Sequence, residues 1–413
     1  MFSLVWSLPT TIIVLSFLYG LTTVYSAIKD LKKTTWIDIE VNDDVSNTPH
    51  VAIVIPLYRE DKESIEETFR SILNQRYPLN KITVYVILEN GDDQTKNYVD
   101  EIYRVFTEMG IAIHIHINDG NRVGKAKAMN GVLNKIIDEK HSVVIVLDAG
   151  DRISDSYYIY KCIELLKRGY KIVGTKVYRV GNGIIAKLSY IDTILWYNIS
   201  FPGIHSITKV PFLSGEGLAI SMDFLKDVGG FPEVLAEDAY IAMLSFIKSE
   251  KVAFLNSVVL EGAPSTLGSL VKQRLRWYRG GIECLKEFVL KYYKNVNKGK
   301  AVAIIIAYLQ IVALTAPFIS LIVILMSVFV KVPYPVQLLA KIELISLLVS
   351  PIFLYITNKV KDPVIFLAPF SWILQSILAL VSLLPVKISW LKTSARSKVY
   401  VNSMDYSTKP VRL

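Results

Sequence analysis

Four apolar stretches, Leu4 to Ala27, Ala301 to Val330, Leu338 to Thr357 and Val364 to Val386, set the frame for this chain. Each is near or above the ~20 apolar residues needed to cross a bilayer core, where backbone polar groups must be bonded within the protein. Between the first and second, charged and apolar residues alternate as in a globular protein, so a water-facing domain is expected between membrane segments. At 52% hydrophobic residues, the 413-residue chain is too apolar for a purely soluble protein and too polar to be all membrane. The expected organisation is an anchor with basic flank at 1–35, a globular domain at 36–285, an amphipathic basic interface segment at 286–300, a membrane region at 301–390 and a basic tail at 391–413.

The first stretch has no basic residues before it and is long for a cleaved signal, so it is read as an uncleaved anchor. Lys29, Lys32 and Lys33 follow it directly. By the positive-inside rule, this predicts an outside N-terminus and a cytosolic domain in a multi-pass cell-membrane protein. One anchor and three later spans would leave the tail outside, yet Lys392, Arg396 and Lys398 favour the cytosol. One late segment is therefore expected to be interfacial or re-entrant, or the tail is an exception. The two cysteines, Cys162 and Cys284, fit a reducing compartment. A net charge of +9 concentrates beside the apolar segments, where lipid headgroups and phosphorylated substrates would attract it, and no nucleic-acid motif accompanies it.

Within the domain, Val143 to Asp151 reads V-V-I-V-L-D-A-G-D. An unbroken apolar run of this length is the pattern of a parallel strand buried on both faces, and its two acids fall at the carboxyl end, where α/β sheets bind ligands. Val51 to Pro56 is a second such strand, followed by a helix from about Glu63 to Gln75. Ile82 to Leu88 is a third, ending in Glu89, Asn90, Gly91, Asp92 and Asp93. Ile111 to Ile117 alternates, with His114 and His116 on one face, a pattern better suited to a solvated edge than to metal ligation. Asn118 to Asn130 runs from a glycine turn into a helix carrying Arg122, Lys125 and Lys127, which favours phosphate without matching a nucleotide-triphosphate loop. Three successive βα units thus deliver acids or bases to one sheet edge, which points to an active site. Further on come a strand at Lys171 to Tyr178, an amphipathic helix at Ile184 to Ile199, the pair of glycines in Leu213 to Ile220 (L-S-G-E-G-L-A-I), Glu237 and Asp238 at the front of a helix, and Lys272 to Gly281, K-Q-R-L-R-W-Y-R-G-G.

Taken together, I-P-L-Y-R-E-D, the acids after the third strand, G-K-A-K-A-M-N, D-A-G-D, S-G-E-G, A-E-D and Q-R-L-R-W resemble the membrane-embedded family 2 glycosyltransferases, which include cellulose, chitin, hyaluronan and poly-N-acetylglucosamine synthases. The resemblance covers Val51 to Gly281 and implies an α/β fold of GT-A type, doubly wound, that binds a nucleotide sugar and is flanked by transmembrane helices. It also implies roles. Glu89 and Asn90 would face the nucleoside base, with Lys125 near the same nucleotide. Asp148 would meet the diphosphate and its Mg²⁺ or Mn²⁺, Gln273 and Arg276 would hold the diphosphate, and Asp238 would be the general base. Trp277 would floor the acceptor site, with Glu237 beside it. Two positions depart from the pattern. The family's D-x-D has Gly150 in its third place, so a second metal ligand would have to be Asp151; and Glu89–Asn90 stand where paired aspartates are usual.

The implied activity is inverting transfer of a hexose from a nucleotide-diphosphate sugar, a UDP-sugar foremost, to a growing polysaccharide or lipid-linked acceptor at the cytosolic bilayer face. Two alternatives stay open from sequence: a non-processive transferase loading one sugar onto a polyprenyl phosphate, and a membrane scaffold that has lost catalysis.

Overall fold

A computed structural model describes residues 4–41, 48–118, 124–357 and 359–384. Arg122 and the basic tail with Lys392, Arg396 and Lys398 lie outside the described residues. The strands expected from the apolar runs form: β1 (Val51–Leu57), β2 (Ile82–Glu89), β3 (Ala112–Asn118) and β4 (Val143–Val146). They lie side by side in the order β3-β2-β1-β4, all parallel. The first two helices between them begin at acids that accept from the first-turn amides. Asp61 caps Lys62–Leu73, bonding Ser64 N at 2.9 Å, and Asp92 caps Asp93–Glu108.

Parallel winding holds only this far. Four more strands, β5 (Arg152–Ile153), β6 (Ile172–Val180), β7 (Leu218–Ser221) and β8 (Val252–Gly262), complete an eight-stranded mixed sheet in the order β3-β2-β1-β4-β7-β6-β8-β5. β7 runs antiparallel to both β4 and β6, while β6 and β8 are parallel. The carboxyl ends of β1, β2, β3, β4, β6 and β8 therefore share one sheet edge, and β7 begins there. Apolar clusters cover both faces of the sheet. Trp36 is buried in one of them and donates its indole N–H to the Tyr197 carbonyl at 2.9 Å. At the sheet's outer edge, β3 carries His114 as a solvated partner of Glu139 (3.2 Å) and Lys135 (2.9 Å), as the alternation predicts.

Among the described residues, three helices are long and apolar enough to cross a membrane: Val5–Lys29, Tyr334–Ile356 and Pro363–Leu383. The second predicted span is broken into Lys298–Ala313 and Ala316–Met326, bent by 46°. Pro317 in the first turn of the latter helix has no N–H and cannot continue the preceding ladder, and the Phe318 amide freed at the break donates to Ser376 Oγ at 2.9 Å. The basic segment before the break presents Val289, Leu290 and Tyr293 to the outside among Lys291 and Lys294.

Candidate active site

The shared sheet edge opens into a cleft lined among others by Glu89, Lys125, Asp148, Glu261, Gln273 and Arg276. Sequence reasoning named five of these six; Glu261 it missed. A smaller apolar hollow alongside is lined by Gly215, Glu237 and Asp238. Asn90, beside Glu89, is exposed and does not line the cleft.

The D-A-G-D turn is held from behind by the helix Lys62–Leu73. Gly150 N donates to Thr68 Oγ1 at 2.8 Å, and that hydroxyl donates in turn to the Asp148 carbonyl at 3.2 Å. Gly150 has φ +89°, a left-handed conformation that costs a non-glycine residue of order 1 kcal/mol or more. The turn sends the two acids opposite ways. Asp148 faces the cleft, whereas Asp151 is wholly buried, its Oδ2 accepting the Asp148 N–H at 2.7 Å and its Oδ1 without a partner. Burial, with Asp148, Glu216 and Glu261 nearby, pushes its carboxyl well above the usual range. The expectation that Asp151 supplies a second metal ligand is thus corrected: it fastens the turn under Asp148 and does not reach the cleft. Among the described residues, no group of three or more His, Cys, Asp or Glu side chains could hold a metal by itself. A divalent cation would fit here with Asp148 as a protein ligand and substrate oxygens completing its shell, the arrangement Mg²⁺ commonly adopts beside phosphates.

Lys125 opens the helix Lys125–Asp138, whose N-cap, Gly124, offers no side chain to the first-turn amides. Its ammonium sits 2.8 Å from Asp148 Oδ1 and 3.4 Å from Glu237 Oε1. Burial works against its charge, but Asp148, Glu237 and Glu216 outweigh burial and raise its pKa. Gly215 lets these groups converge, since a Cβ there would lie 3.2 Å from Lys125 Nζ and 3.7 Å from Asp238 Oδ2. Glu216 pairs with Arg179 at 3.1 Å and accepts from the Ser214 hydroxyl. Burial pushes Glu216 up, yet Arg179, Lys125 and Ser214 prevail and hold it at about 2. Arg179 also meets Glu261 at 2.8 Å. Among the described residues Asp238 pairs with no such cation: burial first, then Glu237 and Glu216, raise it to about 7 despite the Ala239 amide at 2.7 Å and Lys125 nearby.

The helix Leu267–Glu287 carries Gln273, Arg276 and Trp277 and begins with a capping box between Thr266 and Ser269. Gln273 is 4% exposed and its Oε1 has no partner, a buried acceptor in a cleft-lining residue. Trp277 does not line the cleft. Its ring has the guanidinium carbons of Arg179 and Arg274 at 4.3 and 4.4 Å from its centroid, so the stacking surface expected for an acceptor sugar is engaged by cations. Arg274 is itself paired with Asp192 at 3.2 Å. Gly280 seats the helix against the loop leading to Glu237; a Cβ there would come 2.6 Å from Ala236 Cβ. Besides Glu261, sequence reasoning assigned no role to Arg179, Glu216, Arg274 or Asp192. The rule that picked out Glu89 and Asp148, an acid at the carboxyl end of an apolar strand, also marks Glu261 at the end of β8.

Residues 49–280 match the family model described as glycosyltransferase like family 2. The probable glycosyltransferase YdaM of Bacillus subtilis is 23% identical over 261 residues, 62% of this chain and 61% of that protein. The poly-beta-1,6-N-acetyl-D-glucosamine synthase of Staphylococcus epidermidis is 26% identical over 277 residues, 64% of this chain and 62% of that protein, so the matches span about three-fifths of these relatives. Among solved structures, the mannosyltransferase PcManGT of Pyrobaculum calidifontis, in complex with GDP-Man and Mn²⁺, superposes with a TM-score of 0.62 at 19% identity, over 91% of this chain and 97% of that one. That likeness carries the fold, a GT-A sheet with flanking apolar helices. With the family model covering more than half of its residues, the chain belongs to glycosyltransferase like family 2.

Proposed function

We propose that this chain is a membrane-bound inverting glycosyltransferase, moving a sugar from a nucleotide-diphosphate sugar to a growing polysaccharide or a lipid-linked acceptor at the cytosolic face. The observation that carries the reading is the meeting, at one sheet edge, of three N–H-bearing side chains with a buried acid of raised pKa. Arg276, Gln273 and Lys125 offer donors to paired phosphate oxygens, and Arg suits them through its planar fork. Glu89, at the end of β2 and held by Asn118 at 3.4 Å, would meet the nucleoside, with Asn90 at the rim. The nucleotide sugar and Mn²⁺ in the mannosyltransferase complex support a donor of this class and a divalent cation.

In this mechanism Asp238 accepts the proton of the acceptor hydroxyl as its oxygen attacks the anomeric carbon from the face opposite the diphosphate, inverting configuration. A carboxyl at about 7 suits that task, because near neutral pH it is both substantially ionised and basic enough to take the proton. Arg276 and Lys125 stabilise charge growing on the leaving nucleoside diphosphate. A Mg²⁺ or Mn²⁺ held by Asp148 would supply further charge neutralisation on those oxygens. Glu237, tied to Lys125, keeps that lysine beside Asp148 and borders the acceptor's approach; Trp277 orders Arg179 and Arg274 behind it.

Detergent-purified protein incubated with a panel of radiolabelled nucleotide sugars should release nucleoside diphosphate from one of them and lose that turnover on Asp238→Asn. A folded protein that turns over none of the panel, with membrane acceptors supplied, would sink the enzymatic reading.

A further inference from the structure

Tyr58, Glu89 and Asn118 stand in one row across the carboxyl edge of the sheet. β1 and β2 pair in register through Leu57 and Leu88, so Tyr58 and Glu89 come next side by side, and Glu89 is paired in turn with Asn118 of β3. Tyr58 and Glu89 both line the cleft. Asn118 Nδ2 donates to Glu89 Oε1 at 3.4 Å, and its Oδ1 lies over the helix Lys125–Asp138, where a Cβ on Gly131 would come 3.4 Å from it. The amide thus turns its nitrogen, and not its oxygen, toward the carboxylate.

A base can be recognised by its face or by its edge. An aromatic ring such as Tyr58 can stack under any base, because each has a π-face, so stacking does not choose among them. The edge does. Read outward from Asn118, the row offers an N–H donor, then Glu89 Oε1, then Glu89 Oε2: donor, acceptor, acceptor. A carboxylate has only acceptors, and its paired oxygens suit two donors side by side. Guanine has the matching edge, with O6 beside N1–H beside the exocyclic N2 amino group. Uracil carries one N–H between two carbonyl oxygens, so its second carbonyl would face Glu89 Oε2, oxygen against oxygen. Adenine and cytosine each set a single amino donor next to a ring-nitrogen acceptor, which again leaves a carboxylate oxygen facing a lone pair.

We infer that the donor is a guanine nucleotide, its base edge held by both oxygens of Glu89 and by the Asn118 amide. This rests on the nucleotide-sugar reading above and narrows it, putting guanine where the sequence puts uridine foremost. Glu89 is on this account a specificity-determining residue.

Nucleoside diphosphates without a sugar test it apart from turnover. The full chain, purified in detergent and held in Mg²⁺, is titrated with GDP, IDP, UDP and ADP by isothermal calorimetry. IDP differs from GDP only in lacking the N2 amino group. GDP should bind tightest, with IDP weaker by about tenfold or more, as follows from losing one hydrogen bond to a charged acceptor, and with UDP and ADP weaker as well. Glu89→Gln, of the same shape but with one acceptor oxygen, should bring GDP to the level of IDP. IDP, UDP or ADP binding as tightly as GDP overturns the inference and leaves the nucleotide-sugar reading standing. A GDP preference that survives Glu89→Gln overturns it too, by assigning the base to other residues. A folded protein that binds none of the four removes the nucleotide-sugar reading and this inference with it.

Discussion

The raised carboxyl of Asp238 gives a rate profile that can be worked out in advance. Burial, Glu237 and Glu216 lift it from 3.8 to about 7, a penalty on ionisation of roughly 4 kcal/mol. A general base works only when ionised, so kcat/KM should fall about tenfold for each pH step below that midpoint and level off above about pH 8. Glu237→Gln removes the second-largest cause and should move this acid limb to lower pH, while Asp238→Asn should remove the limb and at least ~10²-fold of the rate. The assay is the initial rate of sugar transfer by detergent-purified protein between pH 5.5 and 9, with donor binding measured separately. For stability the sign is opposite to the usual aspartate. Because the folded pKa lies above the unfolded one, the native state holds the extra proton between about pH 4 and about pH 7, and this group's contribution falls as pH rises through that window. A profile flat from pH 5.5 to 8, or an Asn variant with near-normal turnover, would refute the reasoning and leave Asp238 as a helix-front acid.

Asp148→Asn should abolish the stimulation of transfer by Mn²⁺, whereas Asp151→Asn, whose buried side chain still accepts the Asp148 N–H, should keep the same Mn²⁺ midpoint with a lower melting temperature; a shifted midpoint would restore Asp151 as a ligand. Gly280→Ala should cost about 1–3 kcal/mol, read by thermal unfolding, because its Cβ would sit 2.6 Å from Ala236 Cβ on the loop leading to Glu237 and Asp238; unchanged melting would mean that the contact relaxes freely. Trp277→Ala should impair transfer to acceptor through the loss of two cation–π contacts while nucleotide binding, held by Gln273 and Arg276, changes little; equal loss of both would place the tryptophan under the donor instead.

The parallel half of the sheet was legible because buried parallel strands are apolar at every position, and V-A-I-V-I-P, I-T-V-Y-V-I-L and V-V-I-V-L have no competing reading. β8 carries two polar residues in its middle, Asn256 and Ser257, and pairs with β6 and β5, both distant in sequence, so periodicity alone did not separate it from the loops around it. Candidate site residues contributed by a single motif, such as Lys125, Asp148 and Asp238, could be named from the chain. Those defined by pairing, such as Arg179 between Glu216 and Glu261 or Arg274 with Asp192, could not, because nothing along the sequence states which charges meet.

Charge balance explains why the site takes this form before substrate arrives. Asp148, Glu216, Glu237 and Asp238 converge on a region where Lys125 and Arg179 are the cations drawn in among the described residues. Protonation relieves that imbalance, and of these four acids Asp238 is the one without an ion-pair partner among the described residues. The diphosphate of a donor would compete with Asp148 and Glu237 for Lys125, and as Lys125 lowers the pKa of Asp238, whatever draws that ammonium away makes Asp238 a stronger base. Donor binding and activation of the acceptor hydroxyl are on this account coupled through one side chain, which orders the reaction: the base is strongest when the leaving group is already in place.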